Sequence, residues 1–394
     1  MIKYCLVNRE TRAVDYGIGT YSEFVLDFVK SVGRYEIVVL HLYRWIETPR
    51  MELVQDIMHI HIALKLDCFN SDVKAMFNKV FAGSEVIFHF NNLIVDEWGP
   101  FLKELYPSTK IVCTVHYLSW YYSLGGNKEL FHKVIETEGL ATLHPKSQYT
   151  YTYFRKNALS FQCCDYVIVL CNETYEMLRD IYGVDENLIY LIPNGIKPLE
   201  HPIKRRYDNS TTNIIYVGRI DEIKGIMYLA KAFSIIKKSY ANANLHLIGD
   251  AENKSYLQQC LAICPDIKYH GRLSHKELDA YYCKSDIGVI PSFHEQCSYS
   301  LIEMMSYGLP VVGTNATGID EMLSPVPNSK IPIELAFNDE SEFVKEIAAA
   351  ITRYICDLEL RKKDSFLMSS LFHKKYTIDI FNKNMYNFLN NICR

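Results

Sequence analysis

The sequence has no cysteine pair spaced C-x-x-C, no apolar run of membrane-spanning length and no surplus of basic charge. Each absence excludes a class of protein. The twelve cysteines (Cys5, Cys68, Cys113, Cys163, Cys164, Cys171, Cys260, Cys264, Cys283, Cys297, Cys356, Cys393) are scattered, mostly inside apolar runs. They read as buried thiols of a reducing compartment. The nearest approach to a zinc set, Cys260 and Cys264 with His270 and His275, fits one helical face plus a loop, so no metal site is expected. No stretch reaches the roughly 18 apolar residues of a membrane span. The opening Met1-Ile2-Lys3-Tyr4-Cys5-Leu6-Val7-Asn8 turns polar too early for a secretory signal. A cytoplasmic protein is expected. Forty-two Lys and Arg stand against 46 Asp and Glu, a balance that excludes a dedicated nucleic-acid binder. With 49% apolar residues, disorder is excluded too.

What is present is a chain of 394 residues, enough for two or three compact units. Short apolar runs alternate with helix-period segments, the pattern of βα units feeding parallel sheets. Strands are expected at Lys3 to Val7, Glu36 to Leu42, Val86 to His89, Lys110 to Val115, Tyr166 to Leu170 and Leu188 to Ile192. Pro193-Asn194-Gly195 then ends the first series, and residues 196–212 have the composition of a linker. A second series follows at Asn213 to Val217, Asn244 to Ile248, Ile267 to His270, Ile287 to Ile290 and Pro310 to Gly313. The expected organisation is two doubly wound α/β domains, 1–195 and 213–365, with a helical segment 366–394 returning to the first. In open α/β sheets ligands sit beyond the carboxyl ends of the strands, so substrate is expected in a cleft between the two.

Tyrosine is abundant, at 29 residues, and concentrates in residues 117–160 with Tyr117, Trp120, Tyr121, Tyr122, Tyr149, Tyr151 and Tyr153. That segment does not fit the βα alternation. It reads either as a helical lid or acceptor platform, or as extra core packing.

Four motifs carry chemistry. Gly17-Ile18-Gly19, ahead of a helix expected from Glu23 to Val32, allows close backbone approach to a phosphate. His116 stands directly after the strand Lys110 to Val115, at a carboxyl end. Arg219 and Lys224 lie in a strand-to-helix loop, Gly218 to Gly225, where a guanidinium fork and a compact ammonium can converge on one anion. Glu295 and Glu303 lie in the block from Pro291 to Glu303, the first in a loop and the second about a turn inside the next helix. The backbone N–H groups of Tyr299, Ser300 and Leu301 at that helix start, after Ser298, can hold a pyrophosphate.

At these residues the chain resembles the retaining, nucleotide-sugar-dependent glycosyltransferases of family 4, which have the GT-B fold. The resemblance rests on the GR-x4-KG run at Gly218 to Gly225 and on the E-x7-E block with its Gly308-Leu309-Pro310-Val311 tail. Gly17-Ile18-Gly19, Val115-His116, Ile192-Pro193-Asn194-Gly195 and Thr317-Gly318-Ile319-Asp320-Glu321 fall in the family's order. It implies that Arg219 and Lys224 neutralise the donor diphosphate in place of a metal ion. Glu295 would contact the transferred sugar, Glu303 the ribose, and His116 the sugar from the N-terminal side. Gly17 and Gly19 would approach donor phosphate or acceptor, and Gly271 and Arg272 would lie near the nucleobase. No cofactor is implied beyond the nucleotide-diphosphate sugar itself, with UDP-sugar the family's commoner donor.

Two departures stand out. Gln296-Cys297-Ser298 replace the Gly-Phe-Gly often found after the first glutamate, and the first loop's double glycine is reduced to Gly17 and Gly19. The implied reaction is hexosyl transfer to a saccharide, lipid-linked or peptide acceptor. Retention without a carboxylate nucleophile favours a front-face mechanism in which the leaving phosphate helps deprotonate the acceptor. A nucleotide-sugar 2-epimerase of the same architecture and an inactive nucleotide-sugar-binding protein are the alternatives. Lys204-Arg205-Arg206, Arg361-Lys362-Lys363 and Lys374-Lys375 read as solvated faces or as peripheral contact with anionic lipid.

Overall fold

The computed structural model describes residues 2–11, 16–200, 203 and 211–393. It divides into two compact units: unit 1 is Met1–Ser119 with Val134–Ile192, and unit 2 is Trp120–Lys133 with Pro193–Arg394. Most of the expected linker (201–202 and 204–210), its basic run Lys204-Arg205-Arg206 and the residues 12–15 before Gly17 lie outside the described residues.

Unit 1 is built on eight strands: β1 (Ile2–Glu10), β2 (Tyr35–Tyr43), β3 (Arg50–Val54), β4 (Ile57–Ala63), β5 (Val86–Phe90), β6 (Lys110–Val115), β7 (Tyr166–Val169) and β8 (Ile189–Leu191). Their order is β3-β4-β2-β1-β5-β6-β7-β8. All pairings are parallel except β3 with β4. Tyr4, Cys5, Leu6 and Val7 are buried in succession on β1, as continuous apolar runs must be when helices cover both faces of a parallel sheet. Each fully buried large apolar side chain contributes about 1.5–3 kcal/mol. The order of strands reverses at β1, with β2 on one side and β5 on the other. That reversal opens a crevice at their carboxyl ends.

Unit 2 repeats the plan with β9 (Thr212–Val217), β10 (Ala243–Ile248), β11 (Ile267–Tyr269), β12 (Ile287–Ile290), β13 (Val311–Thr314) and β14 (Lys330–Ile331), ordered β11-β10-β9-β12-β13-β14. All are parallel. Here the reversal falls at β9, between β10 and β12, and the Gly218–Gly225 and Pro291–Ser298 loops leave the sheet on either side of it.

Five expectations change. The helix Gly17–Val32 takes in Gly17 and Gly19, which occupy its first turn instead of a preceding loop. Trp120–Lys133, expected within the first domain, groups with unit 2, as does the closing segment with helices Leu358–Lys375 and Ile378–Ile392. Within unit 2 the closing segment is tied by a bridge between Ile196 and Thr377. Arg361 is not a surface cation: it is 1% exposed and donates to the carbonyl of Tyr354 at 2.9 Å, with Asp286 at 3.4 Å. Cys68, Cys283 and Cys356 are exposed while seven of the twelve cysteines are buried. Among the described residues no helix is long and apolar enough to cross a membrane.

Candidate active site

The unit 2 crevice is shaped first by glycine. Gly218 (φ 153°) and Gly225 (φ 69°) bound the loop after β9, and Gly249 (φ 139°) follows β10. A Cβ on Gly225 would sit 2.1 Å from the carbonyl oxygen of Pro291, and one on Gly249 would sit 1.9 Å from that of Gly218. Three loops therefore meet backbone to backbone, leaving room beyond the strand ends for a ligand's own atoms. Gly225→Ala adds both a left-handed φ and this clash, a cost of about 1–3 kcal/mol. The expected result is a melting temperature lowered by several degrees, read by calorimetry.

Into this crevice the loops bring two cations and two carboxylates. Lys224 Nζ is 2.5 Å from Glu295 Oε1, with both side chains largely buried, and Arg219 Nη2 is 3.2 Å from Asp221 Oδ2. Asp221 also accepts from the backbone N–H of Lys224 at 3.1 Å, fixing the loop's short helical turn. Burial alone would lower the Lys224 ammonium, but the carboxylate of Glu295 beside it outweighs that effect and its pKa lies above the ordinary lysine value. Lys224 is thus fully charged at neutral pH. Ser292 Oγ donates to Glu295 at 3.2 Å, so the carboxylate is held from two sides.

The tyrosine-rich helical segment closes on this loop from within unit 2. Tyr121 is fully buried and stacks on His294 at 3.7 Å and 19°, with Tyr122 edge-on at 6.4 Å. Tyr122 also hydrogen-bonds Arg219. Gly126 (φ 79°) would place a Cβ 2.4 Å from the carbonyl of Phe293. The 117–160 segment is therefore mixed: Trp120 and Tyr121 are core, whereas Tyr122, Tyr149 and Tyr153 are exposed. That Tyr121, Tyr122 and His294 join Arg219 and Lys224 is not legible in the sequence, because the contact spans more than 90 residues and no motif marks it.

Beyond Glu295, Gln296 is 3% exposed and neither polar atom of its amide has a hydrogen-bond partner among the described residues. An unpartnered buried amide costs about 1–3 kcal/mol unless a ligand satisfies it. Thr317 sits nearby with φ 40°, a strained value for a β-branched residue, and the N–H of Gly318 donates to the carbonyl of Glu295 at 2.8 Å. Strain of this kind collects at functional sites.

The helix Tyr299–Ser306 begins after Ser298, whose hydroxyl accepts from Leu301 N–H at 3.4 Å. One of the three N–H groups expected to face a pyrophosphate is therefore already engaged, leaving that role to Tyr299 and Ser300. Glu303 is not paired with Glu295; it accepts from Tyr282 Oη at 2.7 Å, and burial raises its carboxyl pKa. Gly271 takes φ 67° after β11, its carbonyl accepting from Gly249 N–H at 2.8 Å, and Arg272 is exposed.

In unit 1, His116 lies beyond the end of β6, with Nε2 3.4 Å from Asn91 Oδ1 and its ring edge-on to Tyr21 at 4.7 Å. Asn91 donates to Asn8 Oδ1 at 2.7 Å and to Ser22 Oγ at 3.0 Å. This network spans the carboxyl ends of β1, β5 and β6, where the strand order reverses. Burial lowers the His116 pKa to about 3, so the imidazole is neutral at working pH. Gly17 is exposed on the helix that carries Tyr21 and Ser22.

Two family models match the chain: one described as Glycosyltransferase Family 4 over residues 82–198 and one as Glycosyl transferases group 1 over residues 211–357. An uncharacterized glycosyltransferase of Haemophilus influenzae is 26% identical over 54% of this chain and 58% of its own. The chain spans about half the length of the curated relatives it matches. Sucrose-phosphate synthase from Thermosynechococcus elongatus superposes over 100% of this chain and 99% of its own, with a TM-score of 0.74 at 18% identity. HepE of Anabaena, solved in complex with UDP-glucose, superposes over 99% and 100% with a TM-score of 0.67 at 14% identity. The chain thus carries two glycosyltransferase modules, one of family 4 over residues 82–198 and one of group 1 over residues 211–357, and has the GT-B fold.

Proposed function

We propose that this protein is a retaining glycosyltransferase that moves a hexosyl group from a nucleotide-diphosphate sugar to an acceptor hydroxyl, without a catalytic metal ion. The observation that carries the reading is the convergence of Arg219, Lys224 and Glu295 at the strand reversal of unit 2, under glycines whose missing side chains leave the space. Arg219 and Lys224 bind the diphosphate. As the glycosidic bond breaks, negative charge grows on the departing phosphate, and one fixed donor aimed at such charge is worth about 3 kcal/mol in a water-poor site. The ligand enters by exchange: Lys224 turns from Glu295 toward phosphate, which frees the carboxylate to accept from a sugar hydroxyl. The Gln296 amide, unpartnered among the described residues, offers the sugar a donor and an acceptor. Tyr299 and Ser300 N–H groups add to phosphate binding at the helix start, and Glu303 takes the ribose hydroxyls. Gly271 and Arg272 border the base.

UDP-sugar is the donor proposed first, supported by the UDP-glucose bound to the structural neighbour HepE. The acceptor is a saccharide, a lipid-linked sugar or a peptide hydroxyl. None of the relatives described above is named as an epimerase. The test is NMR of the product formed from an α-linked nucleotide sugar across an acceptor panel. An α-linked product is expected; a β-linked product overturns retention, and epimerised free sugar without acceptor overturns transfer.

His116 is proposed to act on turnover. Its imidazole is neutral, so it serves as a hydrogen-bonding group and not as a cation. His116→Ala is expected to lower kcat at least tenfold while leaving the donor Kd within about twofold, as measured by steady-state kinetics and calorimetry. An unchanged kcat returns His116 to a packing role.

A further inference from the structure

Unit 1 holds a second cluster that none of this chemistry uses. Side chains two apart on a strand share a face, which places His59 and His61 of β4 together, and His41 of β2 pairs with His61 across the β2–β4 register. One ring nitrogen from each of the three lies within 4.8 Å of the others. His41 Nε2 is 2.9 Å from His59 Nδ1, and the His41 and His61 rings stack at 4.4 Å and 4°.

Two carboxylates back the cluster. Glu10 Oε1 is 2.6 Å from His41 Nδ1, and Glu52 Oε1 is 2.9 Å from His61 Nε2. A carboxylate that accepts a hydrogen bond from Nδ1–H fixes the tautomer and leaves Nε2 with its lone pair outward, the arrangement found behind metal-bound histidines. His61 is 6% exposed; Tyr43 Oη lies 3.1 Å from its Nδ1, and its buried Nε2 faces Glu52. Arg50, opposite His61 on β3, is the one cation that the β3–β4 register brings to the group. Glu10 and Glu52 outweigh its charge.

The geometry points to a binding site for a divalent transition cation of the zinc class, formed by His41, His59 and His61, with Glu10 orienting His41 and Glu52 at the fourth side. Ligand atoms on a zinc tetrahedron of about 2.0–2.1 Å radius lie about 3.3 Å apart; to aim both lone pairs at one ion, the His41 and His61 rings must turn out of their parallel stack. Three imidazoles and a carboxylate suit zinc, copper or nickel and disfavour magnesium or calcium. Bound there, the ion would join β4 to β2 and hold the β3–β4 hairpin at the sheet edge.

The test uses the full chain stripped with a chelator. Calorimetric titration with Zn²⁺ is expected to give one equivalent bound, and Co²⁺ to give visible absorption of nitrogen and oxygen ligation without thiolate charge transfer. His59→Gln is expected to weaken binding at least tenfold, and Glu10→Gln about 10–100-fold. A stripped chain that takes up neither ion overturns the proposal. So does a folded His41→Ala/His59→Ala/His61→Ala variant that binds as wild type, or a cobalt spectrum dominated by thiolate, which would assign the ion to exposed cysteines. If the triple variant does not fold, the His59→Gln affinity and the wild-type cobalt spectrum decide.

Discussion

Lys224→Ala is expected to lower sugar transfer by about 10²–10³-fold, the range for losing one oriented donor to developing negative charge. The arithmetic of charge in the crevice explains why the loss is large. Arg219 and Lys224 balance Asp221 and Glu295, so removing Lys224 leaves a net negative site facing a diphosphate. Lys224→Arg keeps the charge but exchanges a compact ammonium for a planar fork, and recovers only part of the activity. Glu295→Gln separates binding from catalysis. With that carboxylate neutral, Lys224 is free for phosphate, so nucleoside diphosphate is expected to bind a few fold tighter while kcat falls at least tenfold. If Lys224→Ala and Glu295→Gln both turn over like wild type, the pair belongs to the structure and not to the reaction. Steady-state kinetics with calorimetric nucleotide binding reads both quantities.

The second large effect is acid sensitivity. His89 is fully buried, bonded to Thr114 Oγ1 at 2.6 Å and to Tyr4, and burial lowers its pKa to about 3. An unfolded histidine titrates near 6.5. Below that pH the unfolded chain binds a proton that the folded chain refuses, so stability is full above about 6.5 and is lost as pH falls toward 3. Each pH unit in that window costs about 1.4 kcal/mol per such group. Between pH 7 and 5, His89 alone therefore costs about 2 kcal/mol. His294, buried against Tyr121 and near the charged Lys224, acts in the same direction in unit 2. Denaturant unfolding followed from pH 7 to pH 5 is expected to show this fall, and His89→Gln to flatten it by one proton's worth. A midpoint independent of pH over that window contradicts the burial of these rings as neutral groups.

Much of this was legible in the sequence because parallel sheets write themselves as continuous apolar runs. Eleven strands were expected within a residue or two of where they stand, except β1, which runs on through Asn8, Arg9 and Glu10. The β3–β4 hairpin was missed for a specific reason. Its turn is Gln55-Asp56, both at positive φ (50° and 65°), where Asn-Gly or Asp-Gly would have announced a tight hairpin. Missing the hairpin also hid the histidine cluster, since His59 and His61 meet His41 only once β4 is laid beside β2. In the candidate site, Arg219, Lys224 and Glu295 were readable from loop position. Their pairing was not, because Asp221 and Glu295 reach the two cations through side-chain contacts that no spacing rule encodes. Likewise Trp120 and Tyr121 look like any aromatic run in sequence. The stacking of Tyr121 on His294 and the close approach of Gly126 to Phe293 show that this segment packs on the Glu295 loop.

The central claim is that unit 2 binds a nucleotide-diphosphate sugar through Arg219, Lys224 and Glu295. It is tested most directly by calorimetric titration of the wild-type chain and Lys224→Ala with UDP, GDP and their hexose conjugates. The account predicts saturable one-to-one binding of at least one of these nucleotides to the wild type, weakened at least tenfold in the variant. No binding of any nucleotide, or binding unchanged by the substitution, would contradict it.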